Sequence, residues 1–323
     1  MTAITPTDLP AASLRPVRPG LLSRFFKFAR TETRTFIGGL ILLVIAGLCV
    51  VTLPWTLSPR GPLSFEFRNR GDERLPPSVE KFNYVMGTDA VGRSVLARSL
   101  LGGSISLAVG FAAAAISVTL GVTVGLIAGY RGGWIDSFLM RVVDILYGLP
   151  YIVLVLLFKI ALEDPLKTVF APRVASLIVM FLAIGLVSWL TMARVIRGQV
   201  LSIRSQPYIE ACRAVGLPER RIFLRHLLPN LIGPITVYAT LTIPQAILSE
   251  SFLSFLGIGI DPTLPTWGAL AAENRSNGLD VNYPEWWMIL FPCLLLSATL
   301  LSLNFLGDGL RDRFDPKKEA AKL

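Results

Sequence analysis

The side chains that could perform covalent or acid–base chemistry are few in this sequence. His226 is the sole histidine, and no cysteine or carboxylate lies near it at a spacing suited to a metal ion. No lysine follows a glycine, so the G-K-[ST] step of a phosphate-binding loop is absent. The three cysteines, Cys49, Cys212 and Cys293, are too scattered for a disulfide framework. The sequence therefore predicts no catalytic residue, no bound cofactor and no metal site.

The composition indicates that the elements carrying these residues lie in a membrane. Hydrophobic residues make up 53% of the 323 residues and charged residues only 16%, whereas about 25% of the residues are charged in soluble domains. The hydrophobic residues also occur in long unbroken runs. This excludes a soluble globular protein, and we expect an all-α polytopic membrane protein.

Six stretches are long enough to cross the hydrocarbon core as helices and carry almost no charge. They are residues 36–53, 105–128, 145–162, 174–193, 231–248 and 286–306. Lys159 is the only charged residue within them, and we expect its ammonium group to reach the membrane interface. The first stretch is too long for the core of a signal peptide and lacks a cleavage pattern, so we expect it to remain as an anchor.

The distribution of positive charge predicts the orientation. With the N-terminus inside, the inside segments hold 20 Lys and Arg and the outside segments hold 10, which favours cytoplasmic N- and C-termini. We expect a cytoplasmic tail over 1–35, an extracytoplasmic cap over 54–104, a five-helix core over 105–306 and a cytoplasmic tail over 307–323. The net charge of +9 then follows from topology, and no nucleic-acid partner is expected.

Two further features of the predicted helices are a row of glycines within one span and a single acidic residue just after another. Gly121, Gly125 and Gly129 recur at every fourth position of the second span, which leaves one face open for close packing of another helix. Glu250 follows the fifth span in an otherwise uncharged stretch. A carboxylate at the outer end of a helix is the simpler interpretation of Glu250, and a contact with transported solute is the alternative.

The fourth connection, residues 194–230, has the pattern of a helix, a sharp turn and a second helix. Pro207 can open the first helix and Gly216 can supply a left-handed turn after it. We expect the second helix to begin at Glu219 and to end before Pro229. The connection also holds seven arginines. Such an elbow could bind a soluble partner, or its arginines could lie on anionic lipid headgroups.

The elbow resembles the EAA loop of bacterial ABC importer permeases. The residues that carry the resemblance are Glu210, Ala211, Cys212, Gly216, Leu228 and Pro229. Cys212 stands where that motif has a second alanine, and His226 stands where it usually has isoleucine. The form of residues 225–230 is similar to the variant found in the oligopeptide, dipeptide and nickel branch of these permeases.

Other segments resemble the same branch. Residues 86–93 contain the pattern G-T-D-x-x-G-R, which precedes the second span there. Residues 253–267 and 304–316 also resemble the corresponding parts of that branch. Together with the spans, the resemblance covers nearly all of residues 30–316.

The resemblance implies a bundle of six transmembrane helices like that of type I ABC importer permeases, located in the bacterial cytoplasmic (inner) membrane. The partners it implies are a second homologous permease subunit, two cytoplasmic ATPase subunits that bind ATP and Mg²⁺, an extracytoplasmic solute-binding protein, and membrane lipid. The elbow would sit in a groove on an ATPase. Glu210 would orient it, Gly216 would make the turn, and Ile222 and Phe223 would be apolar anchors.

The cargo implied by the resemblance is a peptide or a peptide-like solute. Nickel complexes are the closest alternative, because the same branch shares these motifs and no residue separates the two. A secondary transporter driven by an ion gradient belongs to a different class, but it normally carries acidic relays within its spans, and none occurs in 105–128 or 174–193. A purely structural membrane subunit would show no dependence on solute.

Overall fold

The computed structural model describes residues 33–58, 61–69, 71–274 and 285–314. Most of the predicted N-terminal tail and the end of the predicted C-terminal tail lie outside the described residues. The helices are α1 (Thr33–Thr56), α2 (Val95–Arg131), α3 (Gly133–Tyr147), α4 (Tyr151–Val169), α5 (Pro172–Arg204), α6 (Pro207–Ala214), α7 (Glu219–Ile222), α8 (Leu228–Phe255), α9 (Trp267–Glu273) and α10 (Trp287–Phe314). Within the described ranges, strand pairing is limited to two single bridges next to the start of α2.

The all-α membrane fold predicted from the sequence is confirmed. Five helices are long and apolar enough to cross a membrane, namely α1, α2, α5, α10 and the continuous helix Glu219–Phe255 that contains α7 and α8. Helices α3 and α4 pass the same test only as a pair, and they are bent by 99° where they meet. The pair supplies the sixth candidate span.

The span predicted over residues 145–162 is not one continuous helix, because the bend between α3 and α4 falls inside it. α3 ends at Tyr147, and the Gly148 N–H donates to the Asp144 carbonyl at 3.0 Å. Pro150 then precedes α4, and a proline disfavours helical backbone at the residue before it. Since Lys159 is the only charged residue of this run and lies well after the bend, hydropathy alone could not reveal the break.

α2 begins at Val95, well before the predicted span start at residue 105. The Ser94 hydroxyl caps the helix by accepting a hydrogen bond from the Ala97 N–H at 3.2 Å. The first turns of α2 therefore belong to the region predicted as cap. The predicted extracytoplasmic cap is the folded segment before Ser94, and we call its end of the bundle the cap side and the opposite end the elbow side.

Glycines bring α2 and α5 into backbone contact. The three glycines of the predicted packing face all lie against α5 and are Gly121, Gly125 and Gly129. A Cβ atom at Gly125 would lie 2.6 Å from the Ala193 carbonyl oxygen and 2.9 Å from the Ile196 Cβ. Side-chain carbons do not approach other atoms so closely, so only glycine permits this separation of the two helices.

Candidate functional site

The elbow joins α5 to α8 through α6, a tight turn and α7. Pro207 lies in the first turn of α6. After α6 the chain turns at Gly216, whose φ of +77° is in the left-handed region. The Gly216 N–H donates to the Arg213 carbonyl at 2.9 Å, and the Leu217 N–H donates to the Cys212 carbonyl at 3.1 Å, which is a glycine-capped helix end. No atom lies within 4 Å of a Cβ at Gly216, so conformation rather than space requires glycine here.

Two isoleucines fix the elbow to the bundle. Ile209 of α6 and Ile222 of α7 are both fully buried. They belong to one apolar cluster with Ile196 and Val200 of α5. Ile222, predicted as an apolar anchor, thus anchors the elbow to its own chain. The large apolar side chain most accessible to a partner at the turn is that of Val215, which is 83% exposed.

The predicted coupling residues divide into an exposed set and a packed set. The exposed residues are Glu210, Ala211, Gly216 and Pro229. The residues that belong to or pack against the elbow cluster are Cys212, Ile222, Phe223 and Leu228. Three of the exposed residues, Glu210, Ala211 and Gly216, lie in α6 or at the turn after it, where a soluble protein could contact them.

The second elbow helix does not end before Pro229, so that part of the prediction is wrong. It continues from α7 through a wide helical turn, Phe223–Leu227, directly into α8. The Leu228 N–H donates to the Phe223 carbonyl, five residues back. Pro229 has no N–H to donate and its ring would clash with a carbonyl in a regular turn, so a wider turn accommodates it. The elbow is therefore a rigid extension of a membrane-crossing helix.

A cavity of about 550 Å³ lies between the α3–α4 bend, the middle of α5 and α8. Half of its lining residues are polar and uncharged, namely Tyr147, Tyr151, Ser188, Thr191, Tyr238, Thr242, Gln245 and Ser249. The Tyr151 hydroxyl lies beside the side chains of Ser188 and Ser249, so hydroxyl groups from three helices meet in one place. The arrangement can form hydrogen bonds with a polar solute.

The sequence reading missed this cavity, although a signal for it was present. Tyr238, Thr242 and Gln245 of the fifth predicted span and Ser249 directly after it recur at every third or fourth position. Residues at that spacing share one face of a helix. A polar face on a helix that is otherwise apolar indicates a surface turned away from lipid, so this spacing predicts a cavity wall.

Glu250 follows Ser249 but does not line the cavity. Its side chain is fully buried and accepts hydrogen bonds from Ser254 at 2.7 Å and Ser106 at 3.1 Å. Ser106 lies on α2, so the carboxylate links α8 to α2. In this structure Glu250 thus has the position of a carboxylate that joins two helices.

Lys159 is bound by its own chain rather than directed at the membrane interface as expected. Its ammonium group donates to the carbonyl oxygens of Ile258 and Gly259, both at 2.7 Å. These carbonyls belong to the segment between α8 and α9. Lys159 therefore connects α4 to that segment.

Four charged residues connect the cap, α2 and α9. The Asp89 carboxylate accepts from Arg98 at 2.8 Å and from Arg93 at 2.6 Å. The Glu273 carboxylate, at the end of α9, accepts from Arg98 at 2.5 Å and from Arg93 at 2.6 Å. The Arg98 and Asp89 side chains are almost fully buried. We call this neutral set of two arginines and two carboxylates the ion-pair clasp.

The cap itself is held by local polar contacts. The Tyr84 hydroxyl donates to the Asp72 carboxylate at 2.6 Å, and the Ser78 N–H donates to the Tyr84 carbonyl at 3.0 Å. The hydrogen bond from Tyr84 is the main reason that the pKa of Asp72 lies below its ordinary value. The loop closed in this way exposes Val79, which is 91% exposed.

Comparison with known proteins identifies related chains. Residues 121–320 match the family described as "Binding-protein-dependent transport system inner membrane component". The chain is 38% identical over 294 residues to the protein of Haemophilus influenzae named "Oligopeptide transport system permease protein OppC", covering 91% of this chain and 86% of that protein.

Two further relatives have similar identity. The "Dipeptide transport system permease protein DppC" of Bacillus subtilis is 40% identical over 279 residues, covering 85% of this chain and 82% of the relative. The "Oligopeptide transport system permease protein OppC" of Escherichia coli is 40% identical over 286 residues, covering 88% of each chain. Each similarity thus extends over most of both proteins.

Solved structures share the fold. A chain from an inward-facing structure of the MetNI methionine ABC transporter superposes with a TM-score of 0.53 at 18% sequence identity. The match covers 68% of this chain and 96% of that chain. A second crystal form gives a TM-score of 0.51 at the same identity. At this level of identity the likeness describes the arrangement of helices only.

Proposed function

Because the chain belongs to the family of binding-protein-dependent transport system inner membrane components, we propose that it is the permease subunit of an ABC importer for peptides or peptide-like solutes. The names of its oligopeptide and dipeptide permease relatives support this cargo. The single observation that carries the proposal is the continuous helix from the exposed elbow to the cavity wall. The chain itself has a non-enzymatic role in transport.

The proposed mechanism is mechanical. Two partner ATPase subunits would bind and hydrolyse ATP with Mg²⁺, and the exposed surface at Glu210, Ala211 and Gly216 would contact one of them. A displacement of α7 passes through the wide turn into α8 without a flexible joint. Since α8 carries Tyr238 and Ser249, the same displacement changes the cavity wall. A rigid lever between a nucleotide-driven element and a packed bundle is a recognised way to switch access.

The proposed assembly has three other components. A second homologous permease subunit would face the cavity and complete its wall, because Gln245 and Leu248 are exposed in this chain alone. A solute-binding protein would dock on the cap side. The excess of Lys and Arg in the elbow and the tails supports cytoplasmic termini and an extracytoplasmic cap. Membrane lipid would cover the exposed apolar faces.

Reconstitution of the complex into proteoliposomes tests the proposal. We expect the chain to copurify with an ATPase, and we expect uptake of a labelled tripeptide to require ATP and the binding protein and to stop with vanadate. Uptake that persists without ATPase and follows an imposed ion gradient would instead indicate a secondary transporter. Uptake of a nickel chelate in place of peptides would indicate that this permease transports nickel complexes.

A further inference from the structure

We infer that the cavity wall of this chain is electrically neutral so that it passes peptides of any side-chain charge, and that Gln245 is the position where one added charge would make transport charge-selective. This inference rests on the proposed peptide-permease function and concerns the residues that face the solute. If the complex selects peptides by charge, the inference implies that a component other than this wall makes that selection.

The lining residues combine hydrogen-bonding capacity with the absence of charge. Among the described residues that line the cavity, none is Asp, Glu, Lys, Arg or His. Gln245 lies near the middle of the polar face of α8, between Thr242 and Ser249, and it is exposed. Its amide and the nearby hydroxyls can both donate and accept hydrogen bonds. Such groups match the N–H and C=O of a peptide backbone, which every peptide shares.

The ionisable residues next to the lining are either paired with an opposite charge or buried outside the lining. Three of them lie within two positions of a lining residue, and they are Asp144, Arg194 and Glu250. Asp144 and Arg194 pair with each other at 2.7 Å, and the Arg194 guanidinium also lies 4.1 Å from the centre of the Tyr147 ring. Glu250 is enclosed by hydroxyl groups, as described above.

Neutrality has a direct consequence for transport. A fixed charge in a wall of low dielectric constant acts on a passing charge over several ångströms. It would attract a peptide side chain of opposite sign and repel one of the same sign, so that the repelled class would cross more slowly than the attracted class. A wall of hydroxyl and amide groups does neither. Asp144 and Arg194 together carry no net charge, and Glu250 lies outside the lining, so the lining itself presents no fixed charge to the path.

The polar residues could instead serve only to pack against a partner helix. The two roles differ in what a charge at position 245 would do. A packing role makes Gln245→Glu and Gln245→Lys slow the uptake of all peptides alike. A role in a neutral wall makes the two variants act in opposite directions on peptides of opposite charge.

The experiment uses the complete reconstituted complex with its binding protein and the peptides Ala-Glu-Ala, Ala-Ala-Ala and Ala-Lys-Ala. The quantity compared is the initial uptake rate of the variant divided by that of the wild type for each peptide, because this ratio cancels the preference of the binding protein. For Gln245→Glu we expect the ratio for Ala-Glu-Ala to be about tenfold lower than that for Ala-Lys-Ala. For Gln245→Lys we expect a difference of the same size and opposite sign.

Gln199 supplies the matched control. It is exposed on α5 and does not line the cavity. Gln199→Glu and Gln199→Lys add the same charges outside the proposed path, so the three ratios should stay equal. Thr242→Asp, on the same face of α8, is the second variant and should act with the sign of Gln245→Glu if that variant does not assemble.

Two results would overturn the inference. One is that Gln245→Glu, Gln245→Lys and Thr242→Asp change the three ratios equally. The other is that the Gln199 variants produce the same crossed pattern as the Gln245 variants. Wild-type uptake of Ala-Ala-Ala distinguishes failure of this inference from failure of the proposed function. If the wild-type complex does not take up Ala-Ala-Ala, peptide transport itself is contradicted, and the inference falls with it.

Discussion

The buried side chain of Arg98 forms ion pairs with two carboxylates, one of which is distant in the sequence. Its guanidinium group lies in the first turns of α2, and its partner Glu273 is 175 positions away. Removal of a buried arginine would leave the buried Asp89 carboxylate with one partner fewer in the ion-pair clasp. The loss of one partner from a buried pair is more costly than the loss of an exposed pair.

We therefore expect Arg98→Met to lower the free energy of unfolding by about 3 to 5 kcal/mol. Arg173→Met is the matched control, because Arg173 and Glu66 form a pair whose side chains are 49% and 48% exposed. An exposed pair contributes about 0 to 1 kcal/mol. Thermal unfolding of the purified protein in detergent measures both changes. Equal effects of the two substitutions would contradict the assignment of the clasp.

Sequence reading at this scale identifies unusual residues but not their partners. Lys159 and Glu250 stand out as charges in or beside apolar runs. Their positions gave no information on the Ile258 carbonyl or on Ser106, because both contacts depend on how distant helices pack. The glycines of α2 were more informative, since a four-residue spacing specifies a helix face whatever packs against it.

The elbow behaves as one element with the helix that follows it, so its geometry matters more than its individual side chains. Gly216 is the position where backbone conformation fixes the angle between α6 and α7. A left-handed conformation costs a residue with a Cβ about 1 to 2 kcal/mol. That cost applies at Gly216 even though the space around it is open.

We expect Gly216→Ala to leave membrane insertion unchanged and to lower ATP-dependent uptake by about fivefold to thirtyfold, the factor that corresponds to one or two kcal/mol. Gly198→Ala is the control, because Gly198 lies within α5 and also has no atom within 4 Å of its Cβ position. It should leave uptake unchanged. Uptake in proteoliposomes and the amount of copurified ATPase are the measurements. Normal uptake by Gly216→Ala would argue against the lever.

Helix pairing supplies a second prediction at the scale of elements. Gly125→Ala places a Cβ against the α5 backbone, so we expect the free energy of unfolding to fall by about 1 to 3 kcal/mol. Gly47→Ala on α1 is the control, since a Cβ there meets nothing within 4 Å. The apparent melting temperature in detergent should fall for the first variant only. A fall of the same size for both would contradict close packing of α2 on α5.

Boundaries of elements were harder to predict than their existence. The uncharged runs located the spans because charge is excluded from hydrocarbon, but they gave no information on bends. The break at Pro150 lay within an apolar run, and Pro229 was interpreted as a helix stop although it lies in the first turn of α8. A proline is compatible with a helix end, a helix start or a bend, and tertiary packing decides among these.

At the scale of the whole molecule, the proposed orientation can be measured with cysteine labelling. Val79 in the cap and Val215 in the elbow are both highly exposed. In a background where Cys49, Cys212 and Cys293 are replaced by serine, we expect an impermeant maleimide to label Val79→Cys from outside intact cells. It should label Val215→Cys only in inverted vesicles.

Bound ATPase subunits should slow the labelling of Val215→Cys in inverted vesicles, and removal of peripheral proteins should restore it. Labelling of Val215→Cys from outside cells would invert the proposed topology. The proposed orientation can be predicted from the sequence, because the distribution of positive charges depends on the sequence and not on how the helices pack. The cavity is different, since it exists only after four helices, α3, α4, α5 and α8, meet.

The cap-side half has little freedom to deform. The segment 256–274 is attached to α2 through Glu250 and Thr266, to α4 through Lys159 and to the cap through Glu273. We expect this half to turn as a single block when the elbow is displaced. The strain then concentrates at the α3–α4 bend, where the regular helical hydrogen bonding is already interrupted. The pivot of the motion thus lies beside the solute. A small displacement of the elbow can therefore produce a large change in the width of the cavity.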